Sequence, residues 1–559
     1  MSVSTSSSTE AATAAAAASS SEEPVMKERS PVESPSSGSF EVDGSSSHGH
    51  VDEPKSRRRG LDRIPVEQGC QNIPFAFAFL VHLVLLGLIY RSHQSDPESD
   101  KGGQFYKLGA FIIILSSIVG ILWTLLLLAP EYSTGKMARG SHVAATVLWI
   151  TFAALLFKYH VTWILGTLCL LFAVGDTLWM VHARQKLKFT TTFLNIISDS
   201  YLMYRRLICT GGVLLLLQTV FLLLWLQVLV AVIFSGPTSV RIVFQTLYLL
   251  LSLRWTTGII QLSYTAFTSA NFGRLVERNS TQSMDGQHLP VYSVDALQNS
   301  RSAEGSANDE EWGHLEVDEE ELGGGGESVT NTSAPEHDKY FSEDHVDTDI
   351  RALRTALTTN LGSLAAGSLV GFATPFLWAI LRIFRGIRSR SRRECVKRCS
   401  SVVFAWVERW VRLSHRYTIV MVASKRLPWF RAAKKTWMAL SSNGTQAVVS
   451  DDCTGRLLQF ACYVCGLVAC LLGILMQQQA VDRPFLLLML FTLGFVCMSL
   501  PLAVFTGPVK TVIVFFALKP DVVAQWHTVV FHRFMRLTET HQVRFPEDDS
   551  GAWMEHATW

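Results

Sequence analysis

About ten long apolar runs recur along this chain, and they constrain its fold more than any other feature. A helix needs about 20 apolar residues to cross a hydrocarbon core of about 30 Å. Lipid offers no partner for a backbone amide, so each spanning segment must satisfy its own hydrogen bonds as a helix. The sequence therefore predicts an all-α polytopic membrane protein with about ten transmembrane helices. The predicted spans are 73–90, 108–128, 143–157, 161–180, 207–234, 242–272, 361–381, 400–424, 456–476 and 484–506.

The composition favours the same class of protein. Hydrophobic residues make up 48% of the chain and charged residues only 17%, where about 25% charged is usual. The formal net charge is only +2, so no nucleic-acid partner is predicted. The lipid bilayer is the partner that the sequence does predict, and it identifies no protein partner.

The polar segments divide the chain. Residues 1–69 are rich in Ser, Ala and Glu with no early apolar core, which predicts a disordered cytosolic tail and no cleavable signal peptide. Helices one to six follow over 70–275, and helices seven to ten over 351–518. Between them, 276–350 is acidic and Gly-rich, as is typical of a disordered loop. A cytosolic C-terminal tail is predicted over 519–559.

Basic residues set the expected orientation. Clusters of Arg and Lys precede the first span, follow the fourth and precede the ninth, and cytoplasmic flanks carry such an excess. An even count of spans places all three in the cytosol, together with both termini. The Arg-rich stretch 382–398 would then lie outside, so either the rule fails there or 400–424 does not span. We expect a multi-pass protein of the plasma membrane.

Four short motifs, in order along the chain, carry a family resemblance. The late apolar segment opens with Gly362-Ser363 and continues with Gly367-Ser368-Leu369, and together these resemble the Gly-Ser…Gly-Ser-Leu pattern of the choline transporter-like family. Three other stretches resemble motifs of the same family. They are Cys70-Gln71-Asn72-Ile73-Pro74-Phe75, the segment from His415-Arg416-Tyr417 to Ala432-Ala433-Lys434, and Ser450-Asp451-x-x-Thr454.

The chain departs from the family pattern at specific positions. Asn72 stands where the family has an Asp, and Arg426 stands where it has a Gly. Gly455 replaces a second Asp, and Leu262 replaces an Asn about seven positions after Trp255-Thr256. The resemblance implies the fold and a transmembrane transporter of choline. Ethanolamine or another small organic amine remains an alternative substrate, and a transport-inactive scaffold that recruits partners through its tail and acidic loop is the alternative function.

Aromatic residues in the fifth and sixth spans are the candidate substrate site. A quaternary amine cannot donate hydrogen bonds, but it is attracted to the faces of aromatic rings. Trp255 lies on a family motif position and is the first candidate for binding a small organic cation. Trp225, Tyr248 and Phe267 are the others. The alternative reading is that these rings face lipid or form an interfacial belt.

Small and charged residues within the spans suggest further roles. Gly362, Gly367 and Gly371 form a small-residue stripe in the seventh span, which predicts close helix packing. Asp176 and Arg254 are charges at membrane depth, where such groups are candidates for function. No phosphate loop, His-Glu-x-x-His pair or nucleophile elbow occurs in the sequence. We therefore predict no enzyme activity, no cofactor and no metal site.

The orientation makes a testable prediction about glycosylation. Asn279-Ser280-Thr281 and Asn331-Thr332-Ser333 have the sequon pattern, but a cytosolic 276–350 segment never meets the glycosylation machinery. Both asparagines should therefore be unmodified in protein isolated from a secretory membrane, as checked by mass spectrometry of the peptides. A glycan on Asn331 would contradict the ten-span orientation.

Overall fold

Helices form all of the regular structure in the residues that the structure describes. The computed structural model describes residues 72–544 with gaps at 94–99, 130–133, 159–162, 203–204, 235–239, 287–353, 355–357, 391–414, 443–444 and 477–483. The predicted all-α membrane fold is confirmed. The tail 1–69 and most of the acidic segment lie outside the described residues, although 276–286 continue a long helix.

Fifteen helices occur in this part of the chain. They are α1 Ile73–His93, α2 Asp100–Leu128, α3 Thr134–Phe157, α4 Trp163–His182, α5 Arg184–Leu202, α6 Arg205–Phe234, α7 Val240–Gly286, α8 Leu361–Arg390, α9 Thr418–Lys425, α10 Trp429–Ser442, α11 Gln446–Asp451, α12 Thr454–Met476, α13 Pro484–Leu518, α14 Pro520–Trp526 and α15 Thr528–Arg544.

The number of apolar spanning segments differs from the ten that were predicted. Within the described ranges, 7 segments are long and apolar enough to cross a membrane. They are Ile73–His93, Gly102–Leu128, Arg139–Phe157, Trp163–His182, Ile208–Phe234, Ala447–Met476 and Phe485–Leu518. The chain is thus a multi-pass membrane protein, with three predicted spans not among the seven.

The three segments differ from one another. The predicted span 242–272 lies in α7, whose 47 residues extend about 70 Å and include Arg254 and many hydroxyl residues. Within the described residues of α8, Leu361–Thr374 is a shorter apolar segment, and the sequence stays apolar as far as Leu381, before the first basic residue, Arg382. Of 400–424, the described part starts at His415 and contains the eight-residue α9. A helix of that length reaches about 12 Å and cannot cross a bilayer.

Helices also occur where the sequence predicted a loop or a tail. The basic segment after the fourth span forms α5, which buries Leu187, Leu194 and Ile197. The first part of the C-terminal tail forms α14 and α15. Phe534 of α15 is fully buried, and its ring lies 5.9 Å from that of Phe193 in α5. The charged residues of these amphipathic helices lower their average hydropathy, so a hydropathy average does not detect their apolar faces.

Close packing between α7 and α13 lies at the centre of the described helices. A Cβ on Gly507 of α13 would lie 3.0 Å from the carbonyl oxygen of Thr265, so only glycine allows this approach. The hydroxyl of Ser269 donates to the Gly507 carbonyl at 3.1 Å. Small residues and hydroxyl-to-carbonyl bonds of this kind hold helices together in lipid, where the hydrophobic effect gives no preference for protein over lipid.

The small-residue stripe of α8 has two different environments. Gly362 is buried. A Cβ on Gly367 would lie 2.6 Å from Cε3 of Trp429 in α10, and Trp429 is itself only 3% exposed. At Gly371, one turn further on, a Cβ would meet nothing within 4 Å. The close contact at Gly367 is therefore between α8 and an indole ring.

This difference defines a matched pair of variants. Gly367→Leu should lower the thermal stability and the yield of folded protein, because overpacking costs about 1–3 kcal/mol or more. Gly371→Leu adds the same side chain into open space and should leave both unchanged. Thermal unfolding of the detergent-purified proteins measures the difference. Equal stability of the two variants would contradict the packing of Gly367 on Trp429.

Candidate substrate site

A buried histidine joins α1 to α7 at the centre of the candidate site. His82 is only 5% exposed. The hydroxyl of Tyr248 lies 2.7 Å from its Nδ1 and 3.0 Å from its carbonyl oxygen. The hydroxyl of Ser252, one turn along α7, lies 3.0 Å from its Nε2. Both ring nitrogens of His82 are thus within hydrogen-bond distance of α7.

One arrangement of protons satisfies every group in this network. The Tyr248 hydroxyl donates to the His82 carbonyl, and Nδ1–H donates to the Tyr248 oxygen. The Ser252 hydroxyl then donates to Nε2, which leaves His82 as a neutral imidazole. The network can therefore be complete without a formal charge.

Trp255 forms the wall of this site on the side of α8. Its ring centroid lies 5.0 Å from that of His82 and 5.8 Å from that of Phe79, in an edge-on contact. Its Nε1–H donates to the carbonyl of Ala365 at 3.1 Å. The hydroxyl of Ser368 returns a hydrogen bond to the Trp255 carbonyl at 3.0 Å. Two bonds thus fix Trp255 between α7 and α8.

The other two aromatic candidates lie outside this cluster. Trp225 is fully buried and donates from Nε1 to the carbonyl of Leu249 at 2.9 Å, which ties α6 to α7. Phe267 is 1% exposed and lies in a hydrophobic core. Of the four aromatic residues predicted from sequence, the structure brings together Trp255 and Tyr248. The other members, His82, Phe79 and Ser252, were missed because single residues in apolar runs carry no pattern.

The charges predicted at membrane depth occupy different settings. Arg254 is exposed. Asp176 of α4 is buried, and its Oδ2 has no hydrogen-bond partner among the described residues. Trp179 follows Asp176 by one turn of α4. The guanidinium carbon of Arg456 in α12 lies above the Trp179 ring, 4.7 Å from its centroid. No group of three or more His, Cys, Asp or Glu side chains in the described ranges could hold a metal ion.

The first two motifs meet at the start of α1. The side-chain amide of Asn72 donates to the hydroxyl of Ser363 at 3.0 Å. Three residues later, the ring of Phe75 lies 6.1 Å from that of Phe430, next to Trp429 in α10. These contacts attach the beginning of α1 to the beginning of α8 and to α10, next to the contact between Gly367 and Trp429.

The third and fourth motifs meet in an ion pair whose acidic partner is buried. Nη2 of Arg416 lies 3.2 Å from Oδ2 of Asp452, whose side chain is 7% exposed. The Tyr417 hydroxyl donates to the same oxygen at 2.5 Å, and the backbone N–H of Thr454 donates to Oδ1 at 3.0 Å. Burial, with the nearby Arg416 cation, lowers the pKa of His415 to about 3. His415 is therefore neutral, and Arg416 carries the positive charge.

Comparison with known proteins covers three of the four motifs. Residues 338–521 match the sequence profile of a family described as plasma-membrane choline transporter. The resemblance to the choline transporter-like family is confirmed. The matched range contains α8 to α13 together with Arg416, Asp452, Ala365 and Ser368. It does not contain α1 or α7, which carry His82 and Trp255.

Individual relatives of this family match over segments of 124 to 221 residues. Protein PNS1 of Kluyveromyces lactis is 30% identical over 128 residues, 21% of this chain and 23% of that protein. Protein PNS1 of Cryptococcus neoformans var. neoformans is 31% identical over 124 residues, 21% of this chain and 22% of that protein. Protein PNS1 of Neurospora crassa is 24% identical over 221 residues, 35% and 38% of the two chains. The chain thus spans less than a quarter of the length of the first two relatives.

Two departures from the choline transporter-like pattern coincide with unusual backbone. Asn72, with φ 54°, and Arg426, with φ 51°, are the non-glycine residues with positive φ in the described ranges. Asparagine tolerates this left-handed conformation because its short side chain bonds locally. Arg426 ends α9 in the left-handed conformation, where helices commonly place glycine. The left-handed backbone at this position explains why the family pattern has glycine there.

This conformation predicts the effect of restoring the glycine. Arg426→Gly and Arg426→Ala both remove the exposed side chain, but only glycine adopts positive φ without a clash of Cβ. The Gly variant should therefore be more stable than the Ala variant by about 1 kcal/mol. Unfolding of both variants in detergent measures this difference. An Ala variant as stable as the Gly variant would contradict the left-handed end of α9.

Proposed function

We propose that this protein is a transmembrane transporter of choline or a related small organic amine. The observation that carries the proposal is the buried cluster in which Trp255 and Phe79 surround His82. The match to a family described as plasma-membrane choline transporter supports it. We also propose a plasma-membrane location with a cytosolic N-terminus, as the basic flank before the first span indicates. A cytosolic C-terminus follows only from an even number of crossings, so that part of the prediction depends on α7 and α8.

The chemistry of the cluster suits an organic cation. A quaternary amine is bound by ring faces, with a contribution of about 0.5–2 kcal/mol for each contact. A neutral His82 adds a further ring without adding positive charge. The hydroxyls of Tyr248 and Ser252 are acceptors for the alcohol group of choline or for the ammonium of ethanolamine. The site therefore combines aromatic contact with a small number of polar groups.

Substrate entry requires a rearrangement of the rings. The rings of Phe79, His82 and Trp255 contact one another, so a bound cation must take the place of one contact. The segment that contains α1 is 17% buried, against 61% for the segment that contains α13. Because α1 has the smallest buried share of the seven spanning segments, we propose that it moves to admit the cation.

The proposal is tested by varying Trp255. Trp255→Ala should weaken choline binding about tenfold, which corresponds to about 1.4 kcal/mol, while Trp255→Phe should weaken it less because a ring face remains. Both variants lose the bond to Ala365, so their difference isolates the ring. Isothermal titration of purified protein gives the affinity, and uptake into proteoliposomes gives transport.

Trp225→Phe is the matched control. Trp225 also donates to a backbone carbonyl, but it lies outside the His82 cluster, so its variant should bind choline like the parent. Equal affinity in parent, Trp255→Ala and Trp255→Phe would overturn the aromatic site. If the parent neither binds nor transports choline or ethanolamine, the transporter proposal fails and the scaffold alternative is favoured.

A further inference from the structure

A cavity that His82 does not line is present between α2, α3, α12 and α13. Its volume is about 200 Å³. One face of α2 supplies Ile112, Ser116 and Val119 at helical spacing, while Gly140 and Ala144 line it from α3. Ser116 hydrogen-bonds with Cys465 on the opposite wall, so its hydroxyl is occupied. An apolar cavity of this kind does not retain ordered water.

The cavity opens toward the membrane-facing surface. Val119 and Val468 line it and are 40% and 39% exposed. Ile118 and Leu122, the neighbours of Val119 along α2, are 50% and 59% exposed. A protein surface this apolar on a spanning helix faces lipid tails. The opening therefore faces hydrocarbon and admits a hydrocarbon chain.

Positive charge lies at one end of the cavity. Lys136 precedes Gly140 by one helical turn and shares its face of α3, and Arg139 is the residue before Gly140. Both side chains are exposed. The spanning segment of α3 begins at Arg139, so both cations lie at the level of lipid headgroups. Helix α3 contains no acidic residue.

We propose that this cavity binds one acyl chain of an anionic phospholipid, with Lys136 and Arg139 contacting the headgroup. The apolar walls would contact the acyl chain, and the two cations would contact the negatively charged headgroup. In the orientation proposed above, this end of α3 faces the cytosol, where anionic lipids are concentrated. The site is separate from the proposed cation site, so the two can be tested independently.

Glycine positions allow the cavity to be filled without a clash. A Cβ on Gly140 would meet nothing within 4 Å, and the same holds for Gly175 on α4, which is exposed and does not line the cavity. Gly140→Leu therefore fills the cavity, and Gly175→Leu is its matched control. Lys136→Gln with Arg139→Gln removes the charge, and Lys158→Gln removes one exposed cation after the opposite end of α3.

Lipid binding is measured by native mass spectrometry of the full-length protein in detergent. The protein is titrated with phosphatidylserine or with phosphatidylcholine that carries identical acyl chains. The parent should prefer phosphatidylserine. Gly140→Leu should weaken the binding of both lipids at least severalfold, whereas Gly175→Leu should bind them like the parent. The double Gln variant should weaken phosphatidylserine by about fivefold per charge removed and leave phosphatidylcholine unchanged, and Lys158→Gln should change neither.

The proposal is overturned if the parent shows no preference for phosphatidylserine. It is also overturned if Gly140→Leu retains full lipid binding, or if Gly175→Leu loses as much as Gly140→Leu. Choline binding measured on the same variants should match that of the parent. A loss of choline binding together with lipid binding would indicate a general defect and would count against a separate lipid site.

Discussion

The absence of hydrogen-bonding partners in lipid is the constraint on which the rest of this structure depends. Because each spanning segment must satisfy its own amides, the spanning segments in the described part of the chain are helices, and backbone bonds cannot specify which helices are neighbours. Side chains that donate to carbonyls on another helix supply that information. Gln218 of α6 donates to the Val496 carbonyl of α13 at 2.9 Å, and Trp225 and Trp255 do the same for α6–α7 and α7–α8. Each bond gives a partner to a side-chain N–H group that would otherwise be unpaired in hydrocarbon.

The motifs that carry the family resemblance act in the same way, in pairs. Asn72 and Ser363 join α1 to α8, and Arg416 and Asp452 join the start of α9 to the start of α12. Removing Arg416 would leave the carboxylate of Asp452 buried and without its cation, which is destabilising. Asp452 also accepts the N–H of Thr454, so its loss would free the first turn of α12. These motifs therefore stabilise the helix arrangement, while the proposed cation contacts lie elsewhere, on α1 and α7.

The apolar runs allowed the fold class and most spanning helices to be predicted, because burial in lipid depends on composition alone. The amphipathic α5 and the short α9 could not be predicted in this way, since their apolar faces are covered by protein and their charged residues dominate the average. The candidate site was predicted in part. Trp255 was found from its motif position, whereas Trp225, predicted as an aromatic residue in an apolar run, ties α6 to α7 outside the cluster. His82 was missed because its partners, Tyr248 and Ser252, lie 166 and 170 residues away.

The contacts among the rings also bear on how a transporter could release its substrate. An aromatic pair such as Phe79 and Trp255 contributes about 0.5–1.5 kcal/mol beyond burial, and a cation on an aromatic ring contributes about 0.5–2 kcal/mol. A cation that displaces Phe79 from Trp255 therefore exchanges one contact for another of similar energy. In the empty site the rings contact one another, so the cation gains only the difference between the two contacts. Such a near-balanced exchange keeps binding reversible, which a carrier requires, whereas a rigid open cage of the same rings would hold the cation more tightly and release it more slowly.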